Sequence, residues 1–348
     1  MADMGGMPRG AHLIGSVPLE SNTAVFTLAS KLLGDHLERL PDGETGARRN
    51  WIGWQGPIIA GMPQLEQTTV LGAPIGAYGQ TPQLRLRPGV NADELQFPPL
   101  GYSAAAIASY TEFARLKRKG IIPRPVRFQV CLPTPLAPIY YAVVPEDEPA
   151  VEAAYEARML AELAEILAAV PAEELAIQWD TAVEFVILEG FLQADLPDPE
   201  GEILRRLVRL GNHVPTEVEL GYHLCYGDAG HQHFKEPEDM SKLVTIATGL
   251  AAGLDRPLTW IHMPVPRNRS DVAYFAPLAH LRLGPQTTLY LGLVHRTDGV
   301  AGTRQRIAAA QQVVARFGVA TECGLGRRPA ETIPEVLQIH AAVAAPVR

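Results

Sequence analysis

Three residues of the chain could together hold one metal ion: His223, Cys225 and Cys323. His223 and Cys225 stand two apart, so in a strand that runs through Cys225 both side chains point to the same side. Cys323 lies far along the chain and could bring a second thiolate from another element. Imidazole with thiolate suits zinc, and three protein ligands with one open position characterise a catalytic zinc site. The plainer alternative is a pair of cysteines buried as small hydrophobes, a common fate of that residue. Spacing alone leaves both readings open.

Other reactive side chains follow apolar segments in the same way: Ser16, Asp42 with Glu44, Cys131, Asp180, His262, His295 with Asp298, and Glu322 beside Cys323. Segments read as strands are 11–17, a short one before 41, then 126–132, 175–179, 217–224, 257–263, 287–294 and 319–323. Helical periodicity is predicted near 22–34, 103–119, 148–169, 200–210, 238–252, 303–317 and 333–344. Gly211 and Gly318 are read as stops. Eight strands, each followed by helical sequence, match a (β/α)8 TIM barrel formed as one domain over residues 1–348. A doubly wound open sheet shares the alternation, but no Gly-x-Gly-x-x-Gly follows the first strand. In a barrel the C-terminal strand ends meet at one mouth, where reactive groups belong. Residues 51–102, rich in Gly and Pro, form a long insertion after the second strand and are expected to cover that mouth.

Composition narrows the function. The chain has 348 residues, 47% of them hydrophobic and 20% charged, as a globular protein with a sizeable core does. A formal net charge of −8 gives no electrostatic reason to bind nucleic acid or an anionic membrane. No apolar stretch is long enough to span a bilayer, and no secretory pattern opens the sequence, so the expectation is a cytoplasmic protein with a small-molecule substrate. Three cysteines, an odd number, point to reduced thiols. A homo-oligomer is compatible with the sequence.

The motifs, taken in order, resemble the catalytic C-terminal barrel of cobalamin-independent methionine synthase. The segment 14-IGSVP-18 is similar to that family's Ile-Gly-Ser-Phe-Pro, 42-DGE-44 to His-Gly-Glu, and 178-QWD-180 to the start of Gln-(Ile/Val)-Asp-Glu-Pro. Further on, 223-HLCY-226 resembles His-Met-Cys-Tyr, His295 the histidine after the seventh strand, and 322-ECGLGRR-328 Asp-Cys-Gly-Leu-Lys-Thr-Arg. The resemblance implies a Zn2+ cofactor held by His223, Cys225 and Cys323, and a thiol substrate alkylated as its thiolate. It implies also that Ser16, Glu44 and Asp180 hold the polar part of the substrate and that His295 serves as the catalytic acid; Asp180 is a second catalytic candidate, which like His295 could move a proton in a lyase or hydrolase. Two features depart from the pattern. The family's acidic ligand on the sixth strand aligns with His262, and 181-TAVEF-185 replaces the Glu-Pro after the aspartate. His262 is expected to contact substrate, with metal ligation and a purely structural imidazole as alternatives.

A zinc-dependent transferase is therefore the first expectation. A zinc lyase or hydrolase acting on a small carbonyl compound is the second, and a barrel retained only for binding the third. Cys131 is read as core, and His231 and His233 as a solvated loop. Asp180 and Glu44 have structural ion pairs with Arg48 or Arg49 as their plainer reading. Arg327 and Arg328 either anchor an anionic group or face water.

Overall fold

The structure, a computed structural model, describes residues 6–72, 80–191, 197–228 and 232–348. Eight strands are parallel and hydrogen-bonded in one sheet: β1 (Ala11–His12), β2 (Arg39–Pro41), β5 (Arg127–Pro133), β6 (Leu175–Thr181), β7 (Glu219–Leu224), β8 (Trp260–Pro264), β9 (Thr288–Val294) and β10 (Gly318–Thr321). The order β1-β10-β9-β8-β7-β6-β5-β2 leaves β1 and β2 at the ends, and a parallel bridge between Ala11 and Leu37 joins that seam. The expected (β/α)8 TIM barrel is the observed fold.

Helices return the chain between strands: α1 (Asn22–Leu33), α3 (Tyr102–Arg118), α5 (Glu148–Ala169), α7 (Pro199–Asn212), α8 (Ser241–Gly253), α10 (Gly299–Gln311) and α11 (Ile333–Val343). Their apolar stripes set the packing. In α5, Val151, Tyr155, Met159, Leu163 and Ile166 are all buried, the three- and four-residue spacing that lines one face. Gly211 is the next-to-last residue of α7, one residue before the helix ends. A Cβ there would come 2.3 Å from the Tyr222 hydroxyl, so the glycine serves close helix–strand packing. Helix α10 ends at Gln311, well before Gly318, which opens β10.

Aromatic side chains fill the lower barrel. Trp260 fits because Gly221, its registered neighbour on β7, has no side chain; a Cβ would sit 2.0 Å from the indole. Arg39 lies over Trp260 at 4.2 Å from the ring centroid and pairs with Glu219 and Glu38. His12 stacks on Tyr290 with 4.9 Å between centroids and bonds to Gln178 at 2.8 Å. This plug confines the polar groups of the next layer to the C-terminal end.

The first strand is shorter than expected, because residues 13–17 turn over the mouth. The Leu13 and Ile14 carbonyls accept hydrogen bonds from Gln129 at 3.1 and 3.3 Å, and the Val17 N–H donates to the Gly43 carbonyl at 2.8 Å. Residues 51–102 hold the short α2 (Gly56–Ala60) and an antiparallel pair, β3 (Leu65–Leu71) with β4 (Pro82–Leu86). The pair docks on the chain beyond the C-terminal end of β5. Leu84 bridges to Val143, and the Leu86 N–H donates to Asp147 at 2.8 Å. Ile59, Met62, Leu95, Phe97 and Leu100 are buried, so the insertion contributes to the core. Among the described residues no helix is long and apolar enough to cross a membrane.

Candidate metal centre

His223 is the penultimate residue of β7 and points inward, in register with Asp180 on β6 and His262 on β8. Cys225 follows the strand end by one residue, so strand alternation alone does not aim it; the Gly227 N–H donates to its sulfur at 3.2 Å. Cys323 lies two residues past the end of β10. Its sulfur is 3.6 Å from Cys225 Sγ and 3.6 Å from His223 Nε2. All three ligand atoms lie within 4.8 Å of one another. Zn–S bonds of about 2.3 Å and Zn–N bonds of about 2.0–2.1 Å at tetrahedral angles give edges of about 3.8 Å between sulfurs and about 3.6 Å from sulfur to nitrogen. Both edges at Cys323 match those values, the third lies within 4.8 Å, and the donor set is one that zinc favours, so the residues fit a zinc ion. The Cys225 thiol is held well below its ordinary range, first because Cys323 donates to it and then because His223 stands near. Cys323 is correspondingly raised, so the pair gives up one proton readily and the second with difficulty.

His262 is enclosed by protein. It is 0% exposed, and both ring nitrogens are taken by protein atoms: Nδ1 lies 2.7 Å from His223 Nδ1, and Nε2 lies 3.0 Å from the Thr321 carbonyl. It stands behind His223, with each ring nitrogen facing a protein atom.

Carboxyl groups line the mouth beside this cluster, with Asp180 on the strand that pairs with β7. Asp180 is buried, accepts from Gln178 Nε2 at 2.8 Å, and is pushed well above the usual carboxylate range, by burial first and by Glu44 second. Glu44 is pushed up to about 7 by burial and by Asp42, against the pull of Arg48 and Arg327. Its φ of 47° is in the left-handed region, unusual for a residue with a side chain, and the Glu44 N–H bond to Asp42 at 2.8 Å holds the turn. The structural ion pair goes to Asp42, which binds Arg48 at 2.6 Å, and not to Glu44 or Asp180. Cys131, read from sequence as core, belongs to this cluster. Its thiol donates to the Ile14 carbonyl at 3.1 Å and is raised by burial, Asp180 and Glu44. The signal was available, since Gln129 and Cys131 have the same two-residue spacing as Gln178 and Asp180.

Ser16 lies against the loop after β10. Its carbonyl accepts from the Leu325 N–H at 2.7 Å and its hydroxyl from the Gly326 N–H at 3.3 Å. A Cβ on Gly324 would approach that hydroxyl to 2.5 Å, so the glycine lets the Cys323 loop close over Ser16.

His295 is held as a neutral ring. Its Nε2 donates to the Val265 carbonyl at 2.8 Å, and burial together with Arg306 lowers its pKa to about 3, so the ring is neutral near pH 7. Its Nδ1 faces Glu322 Oε2 at 3.6 Å. Glu322 is pushed up to about 7, chiefly by burial, and the same oxygen lies 3.6 Å from His233 Nε2. His233 is not solvated, since its side chain is 3% exposed. Its neighbour His231 lies outside the described residues. Arg327 pairs with Asp228 at 3.4 Å.

No protein-family profile and no curated protein matches the sequence. Solved structures do match. A B12-independent methionine synthase from Shewanella sp. W3-18-1, in complex with selenomethionine, aligns with a TM-score of 0.63 and 12% identity over 97% of this chain and 96% of its own. A provisionally named vitamin-B12 independent methionine synthase from Listeria monocytogenes aligns with a TM-score of 0.58 and 14% identity over 98% and 99%. A methyltransferase from Methanosarcina mazei gives 0.52 and 13% over 97% and 94%. The chain thus has, over nearly its full length, the TIM-barrel fold of structures described as B12-independent methionine synthases.

Proposed function

We propose that the chain is a zinc-dependent transferase that passes a methyl or other alkyl group to a small thiol. The observation that carries this reading is the 3.6 Å spacing of Cys323 Sγ from both Cys225 Sγ and His223 Nε2, which fits one tetrahedral zinc at the barrel mouth. The neighbour from Shewanella, described as a methionine synthase and solved with selenomethionine, in which selenium replaces the sulfur of methionine, supports a small thiol or thioether ligand for this shape of barrel. Zinc bound there supplies positive charge that lets a substrate thiol react as a thiolate at neutral pH.

The chain's own groups do the rest. Burial and Glu44 push Asp180 up, and burial and Asp42 push Glu44 up to about 7, so near neutrality the two offer a carboxylic acid and a carboxylate to hydrogen-bond a polar substrate end. Ser16 adds a hydroxyl from the loop over Cys323. His295, neutral and with Nδ1 toward Glu322, moves a proton on that pair when the leaving group departs. The insertion at 51–102 narrows the mouth beside β5 and limits water. A zinc lyase or hydrolase competes on one observation: His262, neutral and turned away, stands where the resemblance implied an acidic ligand, leaving more charge on the metal to polarise a carbonyl.

X-ray absorption of the zinc-loaded protein separates the two readings. A small thiol such as homocysteine should add a sulfur neighbour to the metal. A first shell unchanged by saturating thiol rejects the transferase reading and favours the second.

A further inference from the structure

The metal ligands His223 and Cys323 come from strands on different sides of the barrel, and two residues link them. Thr321 ends β10, and its carbonyl lies 3.0 Å from His262 Nε2. A carbonyl oxygen only accepts, so Nε2 carries the hydrogen. His262 is 0% exposed, an environment in which imidazole stays neutral, and its Nδ1 is therefore bare. The hydrogen in the 2.7 Å contact with His223 Nδ1 then belongs to His223. His223 keeps a bare Nε2, the atom 3.6 Å from Cys323 Sγ and the one able to ligate metal. The Thr321 hydroxyl donates to the Cys323 carbonyl at 2.7 Å, closing a circuit from one ligand to the other. A further hydrogen bond, from the Thr181 hydroxyl to the His223 carbonyl at 3.0 Å, steadies the backbone of that ligand.

We infer that His262 is a positioning residue which, with Thr321, fixes the tautomer and ring angle of His223 and ties that ligand to the Cys323 loop. His262 itself stays off the metal, so protein supplies one nitrogen and two sulfurs and the remaining position is left for substrate. Hydrogen bonds to a ligand's far nitrogen commonly set its orientation and basicity, and their loss costs about 10- to 100-fold in metal affinity. The role rests on the zinc reading above.

The test is zinc affinity by chelator competition on wild type, His262→Leu, His262→Asn and Thr321→Val, with X-ray absorption of the zinc-loaded wild type and His262→Leu. His262→Leu, which cannot accept from His223, should bind zinc about 10- to 100-fold more weakly with an unchanged count of sulfur and nitrogen neighbours. His262→Asn, whose side-chain oxygen replaces Nδ1 as acceptor, should lose less. Thr321→Val, which keeps the carbonyl and removes the hydroxyl bond to Cys323, should also bind more weakly than wild type. If His262→Leu fails to fold by circular dichroism, the other two variants decide the matter. Wild-type affinity in the folded variants overturns the positioning role, and so does a second protein nitrogen in the wild-type shell that disappears in His262→Leu. A wild type that takes up no zinc defeats the function proposed above, a different result from tight zinc binding that ignores His262.

Discussion

Varying free zinc should move the melting temperature by an amount the structure allows one to work out. Three ligand atoms lie within 4.8 Å of one another, and Cys225 and Cys323 are 98 residues apart in sequence, so the intact site exists only in the folded chain. A ligand that binds only the folded state stabilises it by RT ln(1 + [L]/Kd), about 4.1 kcal/mol at a thousand times Kd. At about 2.1 cal/mol/K per residue, unfolding 348 residues carries an entropy of about 0.7 kcal/mol/K near the transition. The melting temperature should then rise by about 2 °C for each tenfold increase of free zinc above Kd, and by about 6 °C over three decades. Differential scanning fluorimetry in zinc buffers, with a reductant to keep the thiols free, measures that slope. Cys323→Ser should stay flat over concentrations where wild type responds, because a neutral hydroxyl is a much poorer zinc ligand than a thiolate. A wild-type melting temperature independent of zinc, or a Cys323→Ser slope matching wild type over the same concentrations, would refute the reasoning.

Three further outcomes follow from named contacts. His295→Asn should retain zinc and the fold and lose about 10²- to 10⁴-fold in turnover once a substrate is found; unchanged turnover removes His295 from the proton path. Glu44, raised from 4.5 to about 7, favours the folded state while protonated, so that contribution is full below about pH 4.5 and fades as pH rises through about 7. In metal-free protein Glu44→Gln should flatten the fall in stability over that interval, and a denaturation profile parallel to wild type contradicts the assignment. Gly221→Ala would put a Cβ 2.0 Å from the Trp260 indole and should destabilise by about 1–3 kcal/mol or more in urea unfolding, whereas a neutral result denies the tight layer beneath the site.

Much was legible in the chain by itself. Apolar runs of strand length alternating with three- and four-residue stripes, as along α5, specify eight strands and seven of the helices that follow them, because each pattern buries its apolar face in only one kind of secondary structure. Strand-end chemistry was legible for the same reason: His223, Asp180 and Cys323 follow apolar runs, and a parallel barrel brings those ends together. The docked β3–β4 pair was not legible, since β3 has one buried residue in seven and the residue that β4 bridges, Val143, is distant in sequence from Leu84. Gly211 and Gly318 read as stops because a glycine that ends a helix and one that admits a neighbouring side chain look alike until the neighbour is known. Here Tyr222 lies against the first and Tyr290 against the second.

The surroundings of the site histidines were decided by tertiary structure alone. Sequence puts an imidazole at the end of the sixth barrel strand, but whether it meets metal, substrate or protein depends on what its two nitrogens face. For His262 these are His223 and the Thr321 carbonyl, brought there by the register of β7 with β8 and by the turn after β10. Burial likewise made His295 a neutral ring and drew Cys131 into the carboxyl cluster with Asp180 and Glu44. The sequence determined which reactive groups reach the mouth, because a strand's end is a local property. Only the closed barrel decided which of them face one another, because proton ownership and ligand geometry are set by neighbours a few ångströms away that the chain supplies from residues far apart in sequence.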